Sequence, residues 1–238
     1  MTLQTMILQL GSGLVKSTLI FMLTLLGSMP LGMFVAFGRM SKWAPFAWLG
    51  ADKSASPFKQ KLAGFKPVQF LIKIYISIMR GTPLMLQLMV VYFGPFFLFG
   101  IKTGINYRFW AVIIGFILNY AAYFAEIYRS GIESMSVGQY EAAEVLGYTK
   151  AQTFVKIILP QVIKRILPSV TNEVITLVKD TSLAFAISYM EMFTMAKKIA
   201  SSQSTLMPFV VAGIVYYVLN IIVAFAMEQC ERKLNYFR

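Results

Sequence analysis

The side chains of this chain that could do chemistry are few, and most sit where a charge is costly. Arg80, Glu126 and Glu173 lie inside or beside long apolar runs, with Thr82, Asn119 and Asn172 as polar neighbours. A guanidinium can grip a carboxylate through two parallel hydrogen bonds. A glutamate in the same setting could hold an ammonium or a cationic side chain, and Asn119 and Asn172 add amides. Charged groups in such runs face a cavity or a partner. The internal alternative stays open: Arg80 could pair with Glu126, or cap backbone carbonyls, merely to hold helices together. Pro83, just after Thr82, interrupts local helix bonding. Lys179 and Asp180 read as an internal ion pair at a helix break near the outer face.

Most catalytic chemistry is excluded. The chain has no histidine and one cysteine, Cys230. That removes Ser-His and metal-His sites, an internal disulfide and a metal cluster. No GxGD or HExxH-like pattern suggests an intramembrane protease. The stretch GSGLVKST at 11–18 superficially resembles a phosphate loop, but that motif needs Gly directly before Lys, and Val15 stands there. It reads as a helix start. If ATP drives this protein, another chain binds it.

Composition supplies the setting. Of 238 residues, 58% are apolar and only 13% charged, against roughly 45–50% and about 25% in soluble domains. Runs near the ~20 residues that cross a bilayer recur along the chain. They occupy 18–37, 74–99, 109–127, 154–178 and 208–227, the fourth being the weakest because it carries Lys156, Gln161, Lys164, Arg165 and Glu173. These runs are too long and continuous for barrel strands. The expectation is an all-α integral membrane protein, one helical domain over 1–238, with five transmembrane helices.

Lysine and arginine set the orientation. With the N-terminus outside, segment 38–67 is cytoplasmic and holds Arg39, Lys42, Lys53, Lys59, Lys61 and Lys66. Arg129 and Lys150 fall in the second cytoplasmic segment, and Arg232, Lys233 and Arg238 in the tail. The positive-inside rule then favours N-out and C-in. It also explains the net charge of +12 through topology and anionic headgroups rather than nucleic acid. The first run lacks a preceding Lys or Arg and a following A-x-A-like site, so it is expected to remain as the first span rather than be cleaved.

Residues 139–160, QYEAAEVLGYTKAQTFVKIILP, are too polar for lipid. Gln139 to Leu146 are helix formers. Gly147 is placed to end that helix in a left-handed C′ conformation, and Thr149 to Gln152 spell a capping box that starts the next. A short helix, a tight turn and a second helix entering the membrane would pass a push from a soluble partner into the spans. An ordinary helical loop would show the same spacing.

The stretch resembles the EAA signature of the membrane subunits of ATP-binding-cassette importers, with Glu141, Ala142, Ala143, Gly147, Ile157, Leu159 and Pro160 at the family's spacing. MRGTPLMLQL (79–88), AEIYRSGIESM (125–135), GQ (138–139), PQ (160–161) and KDTSL (179–183) resemble the polar amino-acid permease subfamily. The resemblance covers about 75–217. It implies the type I importer permease fold and a place in the bacterial inner membrane. It also implies a second permease subunit, ATPase subunits that bind ATP and Mg, and an external solute-binding protein. Segment 129–155 would be the coupling loop, with Gln139, Glu141, Ala142, Ala143 and Gly147 docking into an ATPase. This chain would itself hold no cofactor or metal and catalyse no bond change.

Two departures stand out. Ser136-Val137 replaces the family's usual Pro-Lys before GQ, which bears on the entry angle of the coupling helix. Segment 43–62 is longer than usual, and its Trp43, Phe46 and Trp48 among lysines suit either an interfacial segment or a tolerated insertion. A channel or non-ATP transporter is the competing class, but it would need no docking helix. The solute within the amino-acid class, and whether the partner permease is identical or homologous, are not written in the chain. The orientation is testable: Cys230 in intact cells should resist membrane-impermeant thiol reagents and react only after permeabilisation. Labelling of intact cells would reverse the topology.

Overall fold

The structure, a computed structural model, describes residues 3–46, 63–104 and 106–234. Trp48 and the lysines at 53, 59 and 61, read above as part of an interfacial segment, lie outside the described residues, as does Arg238. Helix α1 spans Leu3–Arg39. A pair follows, α2 (Pro67–Gly81) and α3 (Leu84–Phe99), then α4 (Tyr107–Glu133) and the short α5 (Val137–Val145). One turn, α6 (Lys150–Gln152), runs through a π-helical stretch, Thr153–Ile158, into α7 (Leu159–Asp180). A 3-10 segment, Thr181–Ile187, leads to α8 (Met192–Gln203) and α9 (Met207–Leu234). No strand occurs among the described residues.

Helix α4 is the axis of the packing. Val112, Phe116, Tyr120, Ala121, Phe124 and Ala125 are buried along it. Phe116, Tyr120, Phe124 and Tyr128 recur every four residues, so their rings form a ladder with centroids 6.1–6.4 Å apart. Ala121 and Ala125 let α1 come close, and a Cβ on Gly32 of α1 would lie 2.8 Å from Phe124. Small residues at such crossings are the usual route to tight packing where lipid removes the hydrophobic driving force. A second, smaller core gathers Met6 and Leu10 of α1, Met192, Ala196 and Ile199 of α8, and Ala212 of α9.

The span expected over 74–99 is not one helix. It breaks at Thr82-Pro83, and α2 and α3 meet at 112°. Pro83 lacks an N–H and its ring excludes the preceding turn, so the carbonyls there need other donors. Gln87 Nε2 lies 3.0 Å from Met79 O and Thr82 O and 2.8 Å from Thr82 Oγ1. Asn119 Nδ2, from α4, donates to Met79 O at 3.1 Å and to Gln87 Oε1 at 2.9 Å. A broken helix at membrane depth is tolerated only when its freed groups are satisfied in this way.

Among the described residues three helices, α1, α4 and α9, are each long and apolar enough to cross a membrane, and the α2–α3 pair makes a fourth if it counts as one span. The expected fifth, within 154–178, falls in the 22-residue α7, which is long enough but carries Lys164, Arg165, Glu173, Lys179 and Asp180. Sequence also gave no warning of α8. Its N-cap is Glu191, a carboxylate with 0% exposure and no ion pair among the described residues. The N–H groups of Phe193 and Thr194 donate to it at 2.6 Å each, the Thr194 hydroxyl at 2.7 Å and the Tyr216 hydroxyl at 3.1 Å. The last of these ties α8 to α9. Gly13 permits the approach of α1, since a Cβ there would lie 2.7 Å from Met192 Cα.

Candidate functional site

The loop between α4 and α7 is built by local rules. Ser136 enters α5 at φ −66°, ψ 141°. That φ is the one proline would impose, so Ser136 holds the backbone conformation that the family's proline would require there. At the far end Gly147 sits at φ 78°. Its N–H donates to Glu144 O at 2.9 Å, and that of Tyr148 to Ala143 O at 3.0 Å. This pair of bonds is a Schellman motif, which needs a residue able to adopt the left-handed region. Thr149 then caps α6: its N–H donates to Gln152 Oε1 at 2.9 Å, and the Gln152 N–H donates to Thr149 Oγ1 at 3.3 Å. Helix end, turn and helix start follow the sequence expectation residue for residue.

Two clamps that sequence reasoning did not foresee hold this loop to α7. The amides of Gln139 and Gln161 donate to each other, both at 2.8 Å. Arg165 Nη1 donates to Ser134 O at 2.8 Å. The GQ and PQ pairs of the signature are thus the two halves of one contact, a pairing that spacing alone does not reveal. Ala143 is buried, which explains the need for a small residue there, while Glu141, Ala142 and Glu144 are exposed. Val145 is 87% exposed and Leu146 73%. The loop therefore projects a rigid tip with apolar residues beside two carboxylates. The π-helical stretch at its base is a feature that sequence missed, and such stretches recur at functional sites.

Among the charges in or beside the apolar runs, Glu126 is a hub. Its carboxylate lies 2.6 Å from Arg129 Nη2, 3.8 Å from Arg80 Nη1 and 3.9 Å from Arg39 Nε. Arg129 also reaches Glu133. The pairing of Arg80 with Glu126, left open by sequence, is present, but it is loose. Arg80 keeps a side-chain exposure of 44% against 18% for Glu126, and its guanidinium lies 5.4 Å from the Tyr123 ring centre.

The remaining candidates divide by location. Asn119 is buried and Thr82 exposed, and both serve the α2–α3 break, the Thr82 hydroxyl donating to Ile78 O at 2.8 Å. Glu173 is half-buried on α7, and Asn172 beside it is exposed. Glu173 has no hydrogen bond or ion pair among the described residues, although Arg80 is near enough to act on it electrostatically. Asp180 departs from the sequence reading: its Oδ2 accepts from the Tyr120 hydroxyl at 2.8 Å, joining α4 to α7 in place of an ion pair with Lys179.

Comparison with known proteins places this architecture. Residues 62–236 match the family described as binding-protein-dependent transport system inner membrane component. The arginine transport system permease protein ArtQ of Bacillus subtilis (strain 168) is 39% identical over 176 residues, 74% of this chain and 79% of that one. The probable amino-acid permease protein YxeN of the same organism is 38% identical over 214 residues, 89% of this chain and 92% of its own. A crystal structure of an amino acid ABC transporter with histidines superposes with a TM-score of 0.79 at 28% identity, covering 98% of this chain and 99% of the other. With its EAA loop clamped at the mouth of a helical bundle, this chain belongs to the family of inner membrane components of binding-protein-dependent transport systems.

Proposed function

We propose that this chain is the membrane subunit of an ATP-driven amino-acid uptake system. It pairs with a second permease subunit, receives solute from an external binding protein, and is driven by ATPase subunits that hold ATP and Mg. The observation that carries the reading is the loop over 129–155: a short helix fixed at both ends, clamped to α7, and presenting Glu141, Glu144, Val145 and Leu146 outward. A rigid tip of that kind transmits displacement, whereas a channel has no use for one. The relatives named for arginine and amino-acid transport support the solute class. N-out, C-in topology with α7 as a further crossing belongs to the same proposal, since a charged helix can cross when a partner subunit covers its polar face.

In this reading the intramembrane charges have separate tasks. Glu126 and Asn119 hold helices. Arg80, Thr82, Asn172 and Glu173 are left to face the solute, Arg80 toward a carboxylate and Glu173 toward an ammonium or cationic side chain. A zwitterion midway across a membrane needs both, because an unpaired buried ion costs several kcal/mol.

Reconstitution with ATPase subunits and binding protein in proteoliposomes tests the proposal. Amino-acid uptake should require ATP on the ATPase side, and ATP-independent flux through this chain would contradict it. Gly147→Val forces a β-branched residue into the left-handed region at a cost of about 1–3 kcal/mol. It should leave the subunit in the membrane while ATP-driven uptake falls sharply, and normal uptake would show that the turn is not the coupling element. Arg80→Lys keeps the charge but loses the planar fork. It should raise the KM for solute roughly tenfold or more, the scale of one charge-assisted hydrogen bond, with Glu173→Gln acting similarly on a cationic solute. If both variants assemble, hydrolyse ATP and transport like wild type, these residues do not select the solute.

A further inference from the structure

At the end of the bundle opposite the coupling loop, where α4 begins, a pocket of about 550 Å³ opens between α1, α4 and the turn before α8. Its lining includes Lys16, Arg108, Trp110, Ser188 and Tyr189, and no acidic residue. The carboxylate nearest in sequence, Glu191, is buried and fully engaged by the α8 N-terminus. Lys16 has no hydrogen bond or ion pair among the described residues.

Arg108 is held rather than free. Its Nη1 donates to Ser188 O at 3.3 Å, its Nη2 to the Tyr92 hydroxyl at 3.2 Å, and its guanidinium lies 5.5 Å from the Tyr92 ring centre. Its Nε is buried without any hydrogen-bond partner. Ser188, which supplies the carbonyl that aims it, stands at φ 55°, a left-handed conformation uncommon outside glycine. Such strain gathers where the surroundings impose a geometry, ligand clamps among them.

The rim says what kind of anion enters. Trp110 is 56% exposed, and Ile114, one turn further along α4, is exposed on the same stripe. On α1, Val15 and Leu19 flank Lys16 and are exposed as well. An exposed tryptophan with Lys and Arg above an apolar stripe is the pattern of a membrane–water interface. We propose that this pocket binds the phosphate of an anionic phospholipid headgroup, with Lys16 and the fixed Arg108 as its cations, Trp110 at the glycerol level, and the acyl chains along the Ile114 and Leu19 stripes. The lining shares no residue with the proposed solute path or with the coupling loop.

Native mass spectrometry of the protein purified from membranes with its copurifying subunits tests this, using phosphatidylglycerol, phosphatidylcholine and inorganic phosphate as probes. Wild type should retain phosphatidylglycerol over phosphatidylcholine. Lys16→Gln should lower that retention about fivefold, the effect of removing one interfacial cation, and Lys16→Arg should keep it. Arg108 is left unchanged, because it also braces the turn at Ser188. Equal retention by wild type and Lys16→Gln would overturn the assignment, as would no preference between the two lipids. Inorganic phosphate bound without retained lipid would overturn the lipid and leave a plain anion site.

Discussion

Glu126 is shared by arginines from three places in the chain: Arg39 at the end of α1, Arg80 at the end of α2, and Arg129 one turn on in α4. An intramembrane carboxylate alone would be expelled or protonated, and a lone guanidinium would be costly too. Brought together, they satisfy one another and pin the C-terminal ends of α1 and α2 to α4. The short contact to Arg129 and the two longer ones differ in character. Arg129 is committed to Glu126 and Glu133, whereas Arg80 is half-exposed and keeps hydrogen-bonding capacity for something else. The hub thus anchors the end of α2 while leaving its terminal cation available.

The rest of the bundle meets the same constraint by other means. The break at Thr82-Pro83 frees carbonyls, and Gln87 and Asn119 cover them. The buried Glu191 has no ion pair among the described residues but finds backbone and hydroxyl donors at the start of α8. Asp180 finds Tyr120. Each is a polar group kept in an apolar environment by a specific partner, and for each at least one partner lies on another helix or across a break, Tyr216 of α9 in the case of Glu191. The interactions that make a broken helix possible are therefore the ones that fix the tertiary arrangement around α4.

What the sequence made legible was local. Gly147, the Thr149–Gln152 box and the end of α5 could be read because backbone rules at turns depend on a few adjacent residues. The apolar runs located α1, α4 and α9, since length and composition are also local properties. The sharp angle between α2 and α3 was only half legible: Pro83 marks an interruption, but its size depends on Gln87 and Asn119, which are distant or ambiguous in sequence. The reciprocal Gln139–Gln161 amides, the Arg165–Ser134 contact and the convergence of Arg39 on Glu126 pair residues far apart in the chain. A single sequence carries no signal for such pairs. Helix α8 was missed because it is short and its N-cap, a buried glutamate, looks like any other charged residue in a loop.

The central claim is a division of labour in which Glu126 holds the helices while Arg80 and Glu173 face the solute. Thermal unfolding and transport of one variant, Glu126→Gln, in the assembled transporter test it most directly. Leaving three arginines with a neutral partner should lower the midpoint by several degrees, given about 2–4 °C per kcal/mol for a chain of this size, while the solute KM of the folded fraction stays as in wild type. A variant of unchanged thermal stability with a raised KM would place Glu126 on the solute path and contradict the account.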